Sequence, residues 1–363
     1  MEVSSQLSDC VGDGVCPEPD IVLSLAGHRL RLTGSPVPVV QGARAWMCPP
    51  AHLLPVGETA SWTVCVEPMV SKGAPAAAAA WTCLLGDYGW PRLATTVSTA
   101  RSAGAVGQYR PEDALVQIAV DRVERLTHVC VPVDGVHPAR WVDWLARAYF
   151  GGRLLEEGWL LLHAAAVSFE GRVVLLGGVP GAGKSSLAHV LCRELGAAFL
   201  GDDLVFVTAS VDRGVQAIGW PTRVSLPIEL AGDLGGARFD SRHVSPTWHR
   251  ERWLSSPAEY CAAHGISRGV PGLVAAVVLL DHDGNGLTLG QLAADVGHLA
   301  FMTDRLGLVG PAVAEQHGAE SQAVASLLEQ LPVFRFTTGH VTTGTARQIW
   351  PRLSSVLETE RAS

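Results

Sequence analysis

The sequence predicts an α/β protein in which a mostly β domain, residues 1–138, precedes a phosphate-loop domain, residues 139–363. Three observations predict it. An apolar run, a G-x-x-x-x-G-K-S loop and a helical stretch follow one another between Arg172 and Gly196. Beyond residue 139, strand-like and helix-like segments alternate. Before it, short β-rich runs are punctuated by Pro and Gly.

In the first domain, residues 21–25 and 29–32 form an expected hairpin around Ala26-Gly27-His28. Residues 62–66, 115–120 and 127–133 are further strand candidates, and no chemical motif lies among them. Residues 138–157 have helical spacing, with Trp141, Leu145, Tyr149 and Leu154 on or near one face. Residues 159–169 form a strand that contains His163, and a turn at Glu170-Gly171 leads into the strand at 172–177. The helix from Ser185 stops at Gly196, and a short strand at 197–201 ends in Asp202-Asp203. Residues 204–207 and 273–280 are strands, 312–331 a helix, 333–337 a strand and 345–357 a closing helix. Asp281 ends a strand as a metal-binding aspartate would, but Asp283-Gly284-Asn285-Gly286 follows at once and favours a hairpin turn.

Composition bounds the function. The chain has 363 residues, 48% hydrophobic and 17% charged, with a formal charge of −8 and no long basic stripe, which argues against nucleic acid as a partner. Residues 1–16 are acidic and polar, unlike a secretory signal, and no apolar run spans a bilayer, so a cytoplasmic protein without a membrane partner is expected. Eight cysteines lack C-x-x-C spacing and are expected to be reduced, mostly buried thiols rather than a metal site or disulfide frame.

The loop residues Gly178, Val179, Pro180, Gly181, Ala182, Gly183, Lys184, Ser185 and Ser186 carry the chemistry. Glycines let the backbone close around an anion, and amides at the helix start point at phosphate oxygens. Lys184 is expected to reach the β- and γ-phosphates of a nucleoside triphosphate, and the Ser185 hydroxyl to hold Mg²⁺. Only two of the 27 basic residues are lysines, Lys72 and Lys184, and a planar guanidinium would not replace that ammonium. The loop itself does not separate ATP from GTP.

Asp202 and Asp203, one helix after the loop, suit phosphoryl transfer. One carboxylate would help hold Mg²⁺ while the other accepts the proton of an attacking hydroxyl. His163 is either a satisfied core histidine or a group that orients the base. Residues 238–268, rich in Arg and His with Trp248 and Trp253 between them, read equally as a lid over phosphates or as a solvated loop.

Three strings carry a family resemblance: Leu161-Leu162-His163-Ala164-Ala165-Ala166-Val167, Gly177 through Ser185, and Leu200-Gly201-Asp202-Asp203. Over about residues 157–210 the chain resembles the catalytic core of HPr kinase/phosphorylase and its relatives, which include kinases of lasso-peptide precursors. Phosphoenolpyruvate carboxykinase shares the two later motifs. The resemblance implies His163 as the active-site histidine, Asp202 as base and Asp203 as metal-linked partner with Ser185. The order of the two aspartates stays open. Arg268 roughly matches a family arginine beyond the substrate loop. The loop carries Val179-Pro180 where Glu-Ser is usual in HPr kinase, and that family's Gly-rich signature is absent. The likeness is therefore closer to the biosynthetic branch.

The expected function is an ATP-dependent, Mg²⁺-dependent kinase acting on a serine-like hydroxyl of a precursor peptide or small metabolite. Related enzymes often oligomerise, which leaves a homo-oligomer open. The alternatives are an NTP-hydrolysing switch without an acceptor and a carboxykinase-like enzyme, for which the chain is short.

Overall fold

The computed structural model describes residues 20–35, 37–55, 57–68, 104–109, 116–121, 124–131, 139–179, 181–210, 214–232, 237–240, 251–281, 323–324, 326–328, 330–337, 341 and 343–359. Two compact units are present, the first over Met1–Leu154 and the second beginning at Leu155.

The first unit holds strands β1 (Ile21–Leu25), β2 (His28–Gly34), β3 (His52–Leu54), β4 (Trp62–Pro68), β5 (Gly104–Tyr109), β6 (Val116–Asp121) and β7 (Leu126–Val131). They form one sheet in the order β3-β1-β2-β4-β7-β6-β5. β1 and β2 make the expected hairpin, with a tighter two-residue turn at Ala26 and Gly27, both at positive φ. The sheet is mixed, because β2, β4 and β7 run parallel. A parallel step needs a crossover, and helix α1 (Val37–Met47) lies in the one from β2 to β4. The sequence reading missed α1, since Pro38 and Gly42 obscure the spacing of its buried Val39, Val40, Ala43 and Met47. Helix α2 (Ala139–Glu156) buries Val142, Leu145, Ala146, Tyr149, Phe150 and Leu154, as its periodicity predicts.

The second unit contains β8 (Leu160–Leu162), β9 (Ala165–Phe169), β10 (Arg172–Gly178), α3 (Lys184–Leu195), β11 (Ala198–Gly201), β12 (Val205–Ser210), β13 (Gly214–Gly219), β14 (Val224–Pro227), α4 (Ile228–Ala231), β15 (Ala237–Asp240), β16 (Glu251–Ser255), α5 (Pro257–His264), β17 (Gly272–Asp281), β18 (Val333–Thr337) and α6 (Thr343–Thr359). Its main sheet runs β11-β9-β10-β17-β13-β12-β8, with β18 also on β17. β10, β17 and β18 are parallel. Val174 and Leu176 of β10 face one apolar cluster with Leu187 and Leu191 of α3, while Val173 and Leu175 face another. A strand buried on both faces reads as an unbroken apolar run, hence Val173-Val174-Leu175-Leu176.

The sheet curls on itself. β8 and β12 lie at one end of the order and β9 and β11 at the other, yet two residues join β8 to β9 and three join β11 to β12. Three Cα steps reach at most about 11 Å, so the two ends must meet. Glycines permit the contact: a Cβ on Gly219 would stand 2.0 Å from the Leu200 carbonyl oxygen, and one on Gly201 2.9 Å from Gly219 Cα. His163 occupies one crossing of this seam and Asp202-Asp203 the other.

Four expectations need correction. The single strand expected over 159–169 is two, β8 and β9, with His163-Ala164 between them rather than inside a strand. Cys65 is disulfide-bonded, whereas Cys48, Cys192 and Cys261 are in no disulfide. Within residues 238–268 the described parts are regular and packed, not a solvated loop. β16 sits between β14 and β15 in a small sheet, Trp253 is buried, and α5 begins with a reciprocal Ser256–Glu259 capping box. Residues 204–207 do form a strand, but it pairs in a hairpin with β13, which the sequence reading did not separate. Residues 241–250, the turn at 283–286 and most of the expected helix at 312–331 lie outside the described residues. The strand at 333–337 and the closing helix match β18 and α6.

Candidate active site

Strand β10 ends in two glycines that pair with Leu279 and Leu280 of β17. Gly178 has φ +145°, and a Cβ there would meet the Leu280 carbonyl oxygen at 2.4 Å. Gly183, at φ +98°, is the N-cap of α3, and a Cβ on it would meet Val341 Cγ2 at 2.8 Å. These two positions require glycine for both conformation and space. Ala182 N–H turns back onto the Val179 carbonyl, and the first intrahelical bond is Leu187 N–H to the Gly183 carbonyl. No side chain caps this end of the helix, which leaves its positive pole to a ligand of the opposite sign. Val179, Gly181, Ala182 and Ser186 belong to this described loop and first turn, while Pro180 lies outside the described residues.

Lys184 is buried, and its ammonium donates to the Gly178 and Val179 carbonyls at 2.9 and 3.3 Å. The Ser185 hydroxyl donates to Asp202 Oδ1 at 2.8 Å, and the Asp203 N–H donates to the same oxygen at 3.0 Å. Asp202 Oδ2 accepts from Ser225 N–H at 3.5 Å, and its backbone carbonyl accepts from the Thr222 hydroxyl. Arg252 braces Ser225 from behind, its Nε donating to the hydroxyl at 2.7 Å and its Nη2 to the carbonyl at 2.6 Å. Asp203, at φ +69°, turns its carboxylate away from this bed and meets His163 Nδ1 at 3.0 Å.

The two aspartates differ in surroundings. Asp202 is 3% exposed, and burial, with the charge of Asp203 adding, pushes its pKa up to about 6. The Asp203 side chain is 57% exposed. Burial of its carboxylate acts upward, but the hydrogen bond and charge of His163, with Lys184 adding, hold it below the ordinary range. His163 Nε2 is buried without a hydrogen-bond partner.

The expected pairing is thus crossed. The resemblance joined Asp202 to His163 and Asp203 to Ser185, whereas hydrogen bonds join Asp202 to Ser185 and Asp203 to His163. Arg268 pairs through its backbone with Phe199 of β11, three residues before Asp202, and its charge acts on the Cys261 thiol. Asp281 is the last residue of β17, in register with Thr337. Sequence reading missed Thr222, Ser225 and Val341, and noted Arg252 only within the Arg- and His-rich segment 238–268. All four act through long-range contacts and belong to no motif.

The residues present fit a nucleotide and its cation. The glycines leave a cradle that side chains would fill, and hydroxyl and carboxylate oxygens 2.8 Å apart suit a hard divalent ion. A cation there would also relieve the cost of ionising the buried Asp202.

No protein-family model and no curated protein matches the chain. Among solved structures, it is similar to the Hpr(Ser) kinase/phosphatase from Coxiella burnetii, with 10% identity and a TM-score of 0.27, over 55% of this chain and 96% of that one. A likeness that slight carries no argument about fold or activity. Among the described residues, no helix is long and apolar enough to cross a membrane.

Proposed function

We propose that the second unit is an ATP- and Mg²⁺-dependent kinase that phosphorylates a serine-like hydroxyl of a precursor peptide or small biosynthetic metabolite in the cytoplasm. One observation carries the reading. Ser185, Asp202, Asp203 and His163 form an unbroken chain of contacts from the glycine-rich loop to an exposed carboxylate backed by a largely buried imidazole.

The loop amides and Lys184 would hold the triphosphate, and Ser185 with Asp202 would hold Mg²⁺. Bound nucleotide supplies the phosphoryl group, and the cation offsets negative charge on it. Asp203 takes the proton of the acceptor hydroxyl at its carboxylate. His163 orients that carboxylate by donating its Nδ1–H to Oδ1. Exposure of Asp203 supports this role, because a base must meet a diffusing acceptor, and burial of Asp202 beside Ser185 supports the metal role. The pKa of Asp202 alone would favour it as base, but its oxygens already face Ser185, Asp203 and Ser225.

Protein incubated with γ-labelled ATP and a pool of hydroxyl peptides and metabolites should leave label on an acceptor. Label released only as inorganic phosphate would instead favour a hydrolysing switch. Within the kinase, Asp203→Asn should cut transfer about 10²–10⁴-fold with nucleotide affinity nearly unchanged. Asp202→Asn should weaken Mg²⁺-dependent nucleotide binding. The reverse pattern would restore Asp202 as the base.

A further inference from the structure

The first unit carries a second cluster of titratable groups, independent of the proposed phosphoryl transfer. β4 and β7 run parallel with Cys65 opposite His128 and Glu67 opposite Cys130. Positions i and i+2 of a strand share a face, so the C-x-E of β4 and the H-x-C of β7 set four metal-ligating residue types at the corners of one grid.

The described side chains converge. Glu67 Oε1 lies 3.8 Å from Cys65 Sγ and 3.4 Å from His128 Nδ1, and all three ligand atoms fall within 4.8 Å of one another. Cys65 is buried, and His128 Nδ1 is a buried atom that makes no hydrogen bond. Zinc bonds of about 2.3 Å to sulfur and 2.0 Å to nitrogen or oxygen, at tetrahedral angles, separate S from O by about 3.5 Å and N from O by about 3.3 Å. The spacings to Glu67 need only a few tenths of an ångström of adjustment, while sulfur and nitrogen, which lie within 4.8 Å of each other, must close to about 3.5 Å, a shift of up to about 1.3 Å. A thiolate, an imidazole and a carboxylate are a donor set for zinc-class ions, whereas Mg²⁺ and Ca²⁺ take oxygens.

We propose that the reduced chain binds one zinc-class divalent ion through Cys65, Glu67 and His128. Cys65 is disulfide-bonded here, so metal and disulfide exclude each other. A dithiol reductant gives up two electrons and two protons and becomes a disulfide itself. The Cys65 S–S bond breaks into two thiols, and the Cys65 thiol proton passes to solvent as the metal binds. The site is therefore a redox-gated metal centre in the β domain, apart from the magnesium chemistry of the loop.

The test is Co²⁺ titration of the full chain, reduced with a phosphine that offers no thiol to the metal, then desalted without oxygen. Reduced protein should take up one Co²⁺ per chain with a sulfur-to-cobalt charge-transfer band and tetrahedral d–d bands, bleached by one equivalent of Zn²⁺. Unreduced protein and Cys65→Ser should lack the charge-transfer band. Glu67→Gln and His128→Gln, at partly exposed positions, should keep the thermal unfolding profile and bind Co²⁺ at least 10-fold more weakly. No band in reduced protein would overturn the proposal. So would a band retained by the Cys65→Ser variant or by unreduced protein, or wild-type titration by both Gln variants.

Discussion

Asp202 and Asp203 are adjacent in the chain and opposite in environment. The sequence shows two equivalent carboxylates, whereas the positive φ of Asp203 sends its side chain to His163 while Asp202 lies back against Ser185 and Ser225. That distinction rests on backbone conformation at one residue, which composition and spacing do not encode. The glycine pattern, by contrast, was legible, because the motif demands glycine where the fold has no room for a Cβ. Two alanine substitutions test this. In Gly178→Ala the new Cβ meets a backbone oxygen at 2.4 Å, and in Gly183→Ala it meets a Val341 methyl at 2.8 Å. Backbone cannot yield as a side chain can, so Gly178→Ala should lose more stability and nucleotide affinity than Gly183→Ala. Both changes also pay for positive φ. Thermal unfolding and nucleotide titration would measure the order.

At the scale of elements, strand and helix periodicity gave β10, α3, β18, α2 and α6, because long buried stretches carry strong patterns. α1 and the edge strands around β14–β16 were hidden, being short or interrupted by Pro and Gly. The seam between β8–β9 and β11–β12 has no signature at all, yet it brings His163 to Asp203. Its tightest point is Gly219 against Leu200. Gly219→Ala would put a methyl 2.0 Å from a carbonyl oxygen, and we expect the second unit to lose at least about 2 kcal/mol. The same change should shift Asp202 through the Gly201 contact and lower transfer beyond what lost stability explains. Chemical denaturation together with activity at a fully folded temperature separates the two effects.

For the whole molecule, the pH dependence of stability joins two buried groups of opposite sign. Asp202, raised from 3.8 to about 6, favours its protonated form when folded, so stability falls as pH rises from about 4 to 6. The shift corresponds to about 3 kcal/mol at most. His189 lies in α3 with its Nδ1 3.1 Å from the Tyr260 hydroxyl. Burial, with the charges of His264 and Arg193, lowers its pKa from 6.5 to about 4. Its contribution is present above 6.5 and lost as pH falls towards 4, again by about 3 kcal/mol at most. The two slopes oppose each other. His264, buried beside His189, is lowered too and adds to the acid-side loss, so in magnesium-free buffer Asp202 should offset only part of it and flatten the wild-type profile between pH 4 and 6.5. Asp202→Asn should melt higher than wild type at pH 8, with the difference closing near pH 4, and it should reveal a steeper acid loss from His189. Melting curves of both proteins across that range would check the signs.

By itself the sequence determined the glycine-rich loop, the strand that feeds it and the helix that leaves it, because those requirements are local: glycine conformation, apolar runs and helix caps. Only the tertiary structure decided which aspartate faces Ser185, what braces it, and that Cys65, Glu67 and His128 stand on one sheet face. Those facts depend on strand register and sheet curvature, which join residues dozens of positions apart and leave no periodicity in the chain.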